Sequence, residues 1–143
     1  MKVTIRKIVK KNKRKADLFI NKEWKKFNKE KGYNYKEKYY EFIALDNKKI
    51  VGSTSIKLIG GTARLSQIIV SKQARRNRIG SLLLKHFEDF ARKKKCHLAY
   101  LETSNVHKEA LQFYKKNNYK IIAILKNHKF HFTWYILSKE LKK

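Results

Sequence analysis

The chain has 143 residues, with 37 Lys and Arg against 11 Asp and Glu and a formal net charge of +26. That length suits a single domain over residues 1–143 and leaves no room for a second domain beside a full catalytic fold. The lone cysteine, Cys96, excludes an internal disulfide and points to a reducing compartment, the cytoplasm. The basic N-terminus lacks a continuous apolar stretch, so no signal peptide is expected. No window approaches the roughly 20 apolar residues of a membrane span. The charge has two accounts. One is a field that recruits an anionic partner; the other is compositional bias, with 30 Lys against 7 Arg, ten Asn and no Pro. The lysines run along the whole length rather than in one block, which favours bias, and nucleic acid then enters only through non-specific charge. Either way the field attracts phosphates.

Val3, Ile5 and Ile8 predict a first strand over 3–9. Ala16, Ile20, Trp24 and Phe27 fall at spacings of four, four and three, which predicts an amphipathic helix over 13–30. Strands follow over 39–46 and 50–59, joined by a turn at Asn47–Lys49. Gly60-Gly61 makes a second hairpin turn into a strand over 62–70. Ile79, Leu82, Leu83, Phe87, Phe90 and Ala91 then repeat at mostly three-to-four spacing and predict a helix over 79–95. A strand over 97–103, a shorter helix over 107–117 and strands over 119–125 and 130–137 complete the chain. The class is α/β with a mixed sheet. The single-helix crossover makes strands 62–70 and 97–103 parallel neighbours.

The connection from Val70 to Leu84, VSKQARRNRIGSLLL, carries the chemistry. It joins a strand end to a helix start, where unpaired N–H groups and the helix dipole favour an anion. Gly80 permits close approach of a phosphate, and Arg75, Arg76 and Arg78 add positive charge. Physics alone specifies a diphosphate or similar anion. Neither the nucleotide P-loop pattern nor the dinucleotide GxGxxG fingerprint is present.

This segment resembles motif A of the GNAT N-acetyltransferase superfamily, which runs from a strand-ending Val through Arg/Gln-x-x-Gly-x-Gly/Ala into a helix. Arg75 takes the Arg/Gln position and Gly80 the last Gly/Ala. Arg78 stands where the first glycine falls, which is compatible with the loop only if its φ is ordinary and its side chain points away from the phosphates. The run Ala110-Leu-Gln-Phe-Tyr114, followed directly by Lys115-Lys-Asn-Asn118-Tyr119, is similar to motif B, with Asn118 in place of glycine. The resemblance covers about residues 41–141. It implies a mixed, mostly antiparallel sheet of 6–7 strands with a central parallel pair, flanked by about four helices.

It also implies acetyl-CoA as co-substrate and direct transfer to a primary amine of a small molecule or protein. The cofactor-binding set is Ile68, Ile69, Val70, Arg75, Arg76, Asn77, Arg78, Ile79, Gly80, Ser81, Asn105, His107 and Tyr114. Tyr114 matches the tyrosine that can protonate the departing thiolate, and a core aromatic is its alternative role. Glu102, at the end of strand 97–103, is the candidate base, with Glu41 and His107 as others; Gln67 sits where some relatives carry Glu. Cys96 has no positioned histidine, so no nucleophilic cysteine is expected. His86, His97, His107, His128 and His131 show no metal-ligand spacing, so no metal is expected. Trp24, Tyr33, Tyr35, Tyr39 and Tyr40 fall where the acceptor-binding helix and loop lie in the family, which leaves an acceptor pocket, a core role and a dimer contact open for them. The strand FHFTWYIL leaves a homodimer open. Rival readings are an acyl-CoA-binding relative without catalysis and a basic nucleic-acid-binding domain, though no zinc, helix-turn-helix or RNP-like pattern supports the last.

Overall fold

The computed structural model describes residues 1 and 3–142. The chain divides into two compact units, Met1–Tyr35 and Lys36–Lys143.

The first unit is built on helix α1, Lys10–Lys31. Asn12 Oδ1 accepts the Val9 N–H at 2.7 Å and satisfies one orphan donor of the first turn. The helix ends at Gly32, whose φ of 73° and N–H bond to the Lys29 carbonyl reverse the chain. On one side of α1, Trp24 meets Phe27 edge-on with centroids 5.5 Å apart and stacks on Tyr35 at 6.0 Å. The strand expected over 3–9 does not form. Alternating Val3 and Ile5 read as a strand, but alternation makes one only where a neighbouring edge supplies ladder hydrogen bonds, and these residues have none.

The second unit holds six strands among the described residues: β1 Lys38–Asp46, β2 Lys49–Ile59, β3 Thr62–Val70, β4 Leu98–Ser104, β5 Lys120–Leu125 and β6 Trp134–Glu140. Their order is β1-β2-β3-β4-β6-β5. All neighbours are antiparallel except β3 and β4, the parallel pair that the crossover requires. Helix α2, Ile79–Lys93, makes that crossover, and helix α3, Lys108–Lys116, follows β4. The described chain thus has three α-helices, with single 3₁₀ turns at Lys72–Ala74 and Lys129–His131 beside them.

The core forms where α2 lies on β2 and β3. Phe87 and Ala91 are fully covered, among Ile56, Leu65, Ala99, Leu101 and Leu137. Burying a side chain the size of Phe87 contributes about 3 kcal/mol. The buried stripe of α2 follows the expected one at Leu83, Phe87 and Ala91 and departs from it at one place: Leu84 is 1% exposed, whereas Leu82 is 64% exposed. The last strand is displaced as well. Residues 129–131 form a turn in which Phe130 and His131 have positive φ, and β6 starts only at Trp134. The apolar alternation of Phe130 and Phe132 belongs to the reversal between β5 and β6. The polar Ser138-Lys139-Glu140 run belongs to the strand, because Lys139 reaches the buried Glu88.

Candidate active site

β3 and β4 pair through only three residues each, Thr62, Ala63 and Arg64 with Leu98, Ala99 and Tyr100. Both strands continue, to Val70 and to Ser104, without pairing to each other again. A bulge lies just past the last shared pair: Ser55 pairs with Gln67 and Ile56 with Leu65, so Ser66 is the extra residue. Such an insertion bends the strand and deepens its twist. The stretch from Leu65 to Val70 therefore presents backbone groups on its β4 side that no strand uses.

The strand leads directly into the phosphate-type loop. The Ser71 N–H bonds the Val51 carbonyl at 2.9 Å, and a 3₁₀ turn tucks Ala74 into the interior. Arg75 Nε reaches back to the Val70 carbonyl at 3.5 Å. Arg76 and Arg78 have φ of 68° and 60°. The expectation of an ordinary φ at Arg78 is thus overturned: the backbone keeps the left-handed shape of the glycine motif, and the arginine bears the steric cost, about 1 kcal/mol. The first bond of α2 joins the Leu82 N–H to the Arg78 carbonyl at 3.0 Å. The amides of Ile79, Gly80 and Ser81 have no intrahelical partner, no side chain caps the helix, and no acid lies in its first turn. Arg75, Arg76, Asn77, Arg78 and Ser81 are exposed around these donors. A Cβ on Gly80 would meet nothing closer than Phe113 Cζ at 3.8 Å and Val70 Cγ2 at 3.9 Å. Packing therefore does not demand a glycine there.

α3 supplies Tyr114, which is buried with its ring edge-on to Phe113 and Tyr119. Burial pushes its phenol up to about 12, so it stays protonated at neutral pH. Asn118 adopts φ of 67°, as its place in the glycine position requires. Asn105 and His107 are exposed at the start of α3, and their N–H groups bond the carbonyls of Thr133 and Ser104 at 2.9 Å and 3.1 Å. Ile68 and Val70 are half-buried on β3, and Ile69 between them is exposed.

Glu102 is partly buried on β4. Its Oε1 accepts from Arg64 at 3.0 Å and its Oε2 from Lys129 at 2.6 Å. The Lys129 hydrogen bond above all, with the Arg64 charge, holds its carboxyl below the usual carboxylate range. Both oxygens are occupied, which weakens it as a base. Glu41 is exposed on β1, in register with Ser55, with β2 and β3 between it and β4 in the sheet. Burial pushes the Cys96 thiol up, which disfavours the thiolate. Tyr40 packs on Phe90, Tyr39 donates to Glu37, and Trp24, Tyr33 and Tyr35 cluster within the first unit. No group of His, Cys, Asp or Glu among the described residues could hold a metal, and no described helix is long and apolar enough to cross a membrane.

Sequence reasoning missed three residues here. Arg64 and Lys129 flank Glu102, but their partnership depends on strand register and loop shape. Ser104, fully covered at the end of β4, has a hydroxyl with no partner among the described residues.

A profile of the acetyltransferase (GNAT) family matches residues 10–119. The chain belongs to the GNAT family. No curated protein matches its sequence. The same GNAT architecture appears in an acetyltransferase from Bacillus cereus ATCC 14579, with a TM-score of 0.77 at 19% identity over 97% of this chain and 98% of that one. The ribosomal-protein-S18-alanine N-acetyltransferase of Escherichia coli matches with a TM-score of 0.68 at 20% identity, over 73% and 70% of the two chains. An aminoglycoside 6'-N-acetyltransferase complexed with coenzyme A matches with a TM-score of 0.65 at 20% identity, over 73% and 74%. GNAT enzymes use acetyl-CoA, and the residues present suit it. Free amides and arginines at α2 fit a pyrophosphate, and the unpaired edge of β3 fits an extended amide-bearing arm.

Proposed function

We propose that this GNAT protein is an N-acetyltransferase that moves an acetyl group from acetyl-CoA to a primary amine of a small molecule or protein. The divergence of β3 from β4 beyond Arg64 and Tyr100, opening beside the uncapped start of α2, carries this reading. In it, the amides of Ile79, Gly80 and Ser81 hold the pyrophosphate, with Arg75, Arg76, Asn77 and Arg78 around it. Backbone groups of Ile68, Ile69 and Val70 hold the extended arm, and Asn105 and His107 border the same opening. Acetyl-CoA supplies the activated acyl group.

Tyr114 is the acid that delivers a proton to the departing sulfur. A phenol near 12 is protonated at every working pH, and a thiolate in a poorly solvated site is basic enough to take the proton. Glu102 is better suited to a structural part than to that of base. With both oxygens paired, it ties β3 to β4 and to the β5–β6 turn, and the amine reaches its neutral form by exchange with water. The reading takes the cytoplasm as the place of action.

Calorimetry with acetyl-CoA in low salt, followed by thiol release with a panel of amines, tests the function. Micromolar binding with amine-dependent thiol release is expected. Failure to bind rejects the cofactor assignment. Binding with no thiol release for any amine favours an acyl-CoA-binding protein without catalysis.

A further inference from the structure

A second cavity, of about 660 Å³, lies between β1 and the first turns of α2. Its volume is in the range of small-molecule sites. β2 and β3 separate β1 from the opening at β4, and the cleft also reaches the loop after β3 at Ser71, Gln73, Ala74 and Asn77. Phe42, Ala44, Val51 and Leu83 give it an apolar floor, while Asp46, Lys49, Gln73, Asn77 and His86 give it a polar rim.

The rim carries one charge of each sign, side by side. Asp46 and Lys49 are cross-strand partners at the β1–β2 turn. Opposite charges so placed ordinarily pair. Here Lys49 Nζ instead donates to Gln73 Oε1 at 3.3 Å, and the Asp46 carboxylate has no ion pair or hydrogen bond among the described residues. In a chain of net charge +26, an acid beside a lysine that stays unpaired is a free acceptor.

We propose that this cleft binds a free amino acid with an apolar side chain. Its ammonium group sits on Asp46, its carboxylate on Lys49, and its side chain over Val51 and Leu83. The charge pattern selects this class. A simple carboxylate meets repulsion from Asp46, and a simple amine meets Lys49 and the positive field of the whole chain. A zwitterion satisfies both rim charges, and the apolar floor takes what remains. The cleft shares Asn77 and Ile79 with the proposed cofactor loop, but the two charges that hold the zwitterion, Asp46 and Lys49, lie outside that set, so the proposal stands whether or not the chain acetylates an amine.

The test is calorimetry on the full chain with L-leucine, with isocaproate, which lacks the amine, and with isoamylamine, which lacks the carboxylate. Each is repeated with acetyl-CoA at saturation. Leucine is expected to bind, and each analogue to bind at least about tenfold more weakly. Asp46→Asn and Lys49→Met should each weaken leucine by a similar factor while leaving the thermal midpoint unchanged, since Asp46 has no partner and Lys49 only an exposed one. Absence of binding heat with leucine at about 10 mM overturns the proposal. So does equal binding of either analogue. Loss of leucine binding under saturating acetyl-CoA also overturns it, because the cleft would then be part of the cofactor site.

Discussion

Lys129 Nζ donates to Glu102 Oε2 at 2.6 Å while lying over the Trp134 ring, 4.5 Å from its centroid. One ammonium thereby joins the β5–β6 turn to β4 and lowers the Glu102 carboxyl from its ordinary 4.5. A carboxyl depressed in the folded state stabilises the fold above its ordinary value. That contribution fades as pH falls from about 4.5 through the folded value. Lys129→Met should raise the carboxyl back toward its ordinary 4.5, because the burial that remains opposes the Arg64 charge. The variant should lose less stability than the parent on acidification below pH about 4.5. Carboxyl titration by NMR, with melting curves across that range, reads both effects.

Gly80→Ala separates ligand approach from packing. A Cβ there makes only ordinary contacts, and alanine favours a helix over glycine by about 1 kcal/mol. Melting should therefore rise slightly. Acetyl-CoA affinity should change little, since the motif takes either Gly or Ala at this position and the added methyl meets only ordinary contacts. A loss of about tenfold in calorimetry would show instead that a phosphate needs the space of that methyl.

Arg78→Gly should stabilise the protein by about 1 kcal/mol, since φ of 60° costs glycine nothing. For a chain of this size that is a rise of roughly 3 °C in Tm. Affinity for acetyl-CoA should drop at the same time and become less salt-dependent, because one cation is lost. Melting and calorimetry at two salt concentrations check both.

Tyr114→Phe should lower turnover by about a hundredfold and leave acetyl-CoA affinity nearly intact. Burial holds the phenol near 12, so the parent enzyme should show no alkaline loss of rate from this group below pH about 11. Unchanged turnover in the variant would assign Tyr114 to the core alone.

Lys139→Ala should be among the more damaging surface-proximal changes. Glu88 is buried, and Lys139 Nζ meets both of its oxygens at 2.9 Å, with the Tyr119 hydroxyl donating at 3.2 Å. Removing the lysine leaves a buried carboxylate compensated only by Arg92 and that hydroxyl, at a cost of about 3 kcal/mol. Glu88→Gln in the same background should recover part of the loss. Denaturant melts of the single and double variants measure it.

The strands legible in the sequence were those whose apolar alternation coincides with pairing. Thr62–Val70 matched to the residue, because Gly60-Gly61 sets one end and the change to helical spacing sets the other. Residues 3–9 and 130–133 alternate in the same way but obtain no ladder, and alternation cannot report whether a partner is present. The loop motif was legible from Arg75 and Gly80, but the conformation of Arg78 was not, since side-chain identity argued against the φ it adopts. Glu102 was visible as a lone acid on a strand end. Its two cations, 38 and 27 residues away, were not. The separation of β3 from β4 leaves no mark in composition, because it depends on the register shift at Ser66.

The sheet is two antiparallel triplets, β1-β2-β3 and β4-β6-β5, stitched through three residue pairs. That short seam has a mechanical consequence. Under load, or in a partial melt, the triplets should part there first, with α2, the Arg64–Glu102 bridge and the His97 N–H bond to the Gly61 carbonyl spanning the tear. A cofactor lying along Leu65–Val70 would act as a rivet across it. At a hundred times its Kd, such a ligand adds about 2.7 kcal/mol to stability. On the proposed reading the protein is sturdiest when loaded, and acetyl-CoA would double as its structural reinforcement.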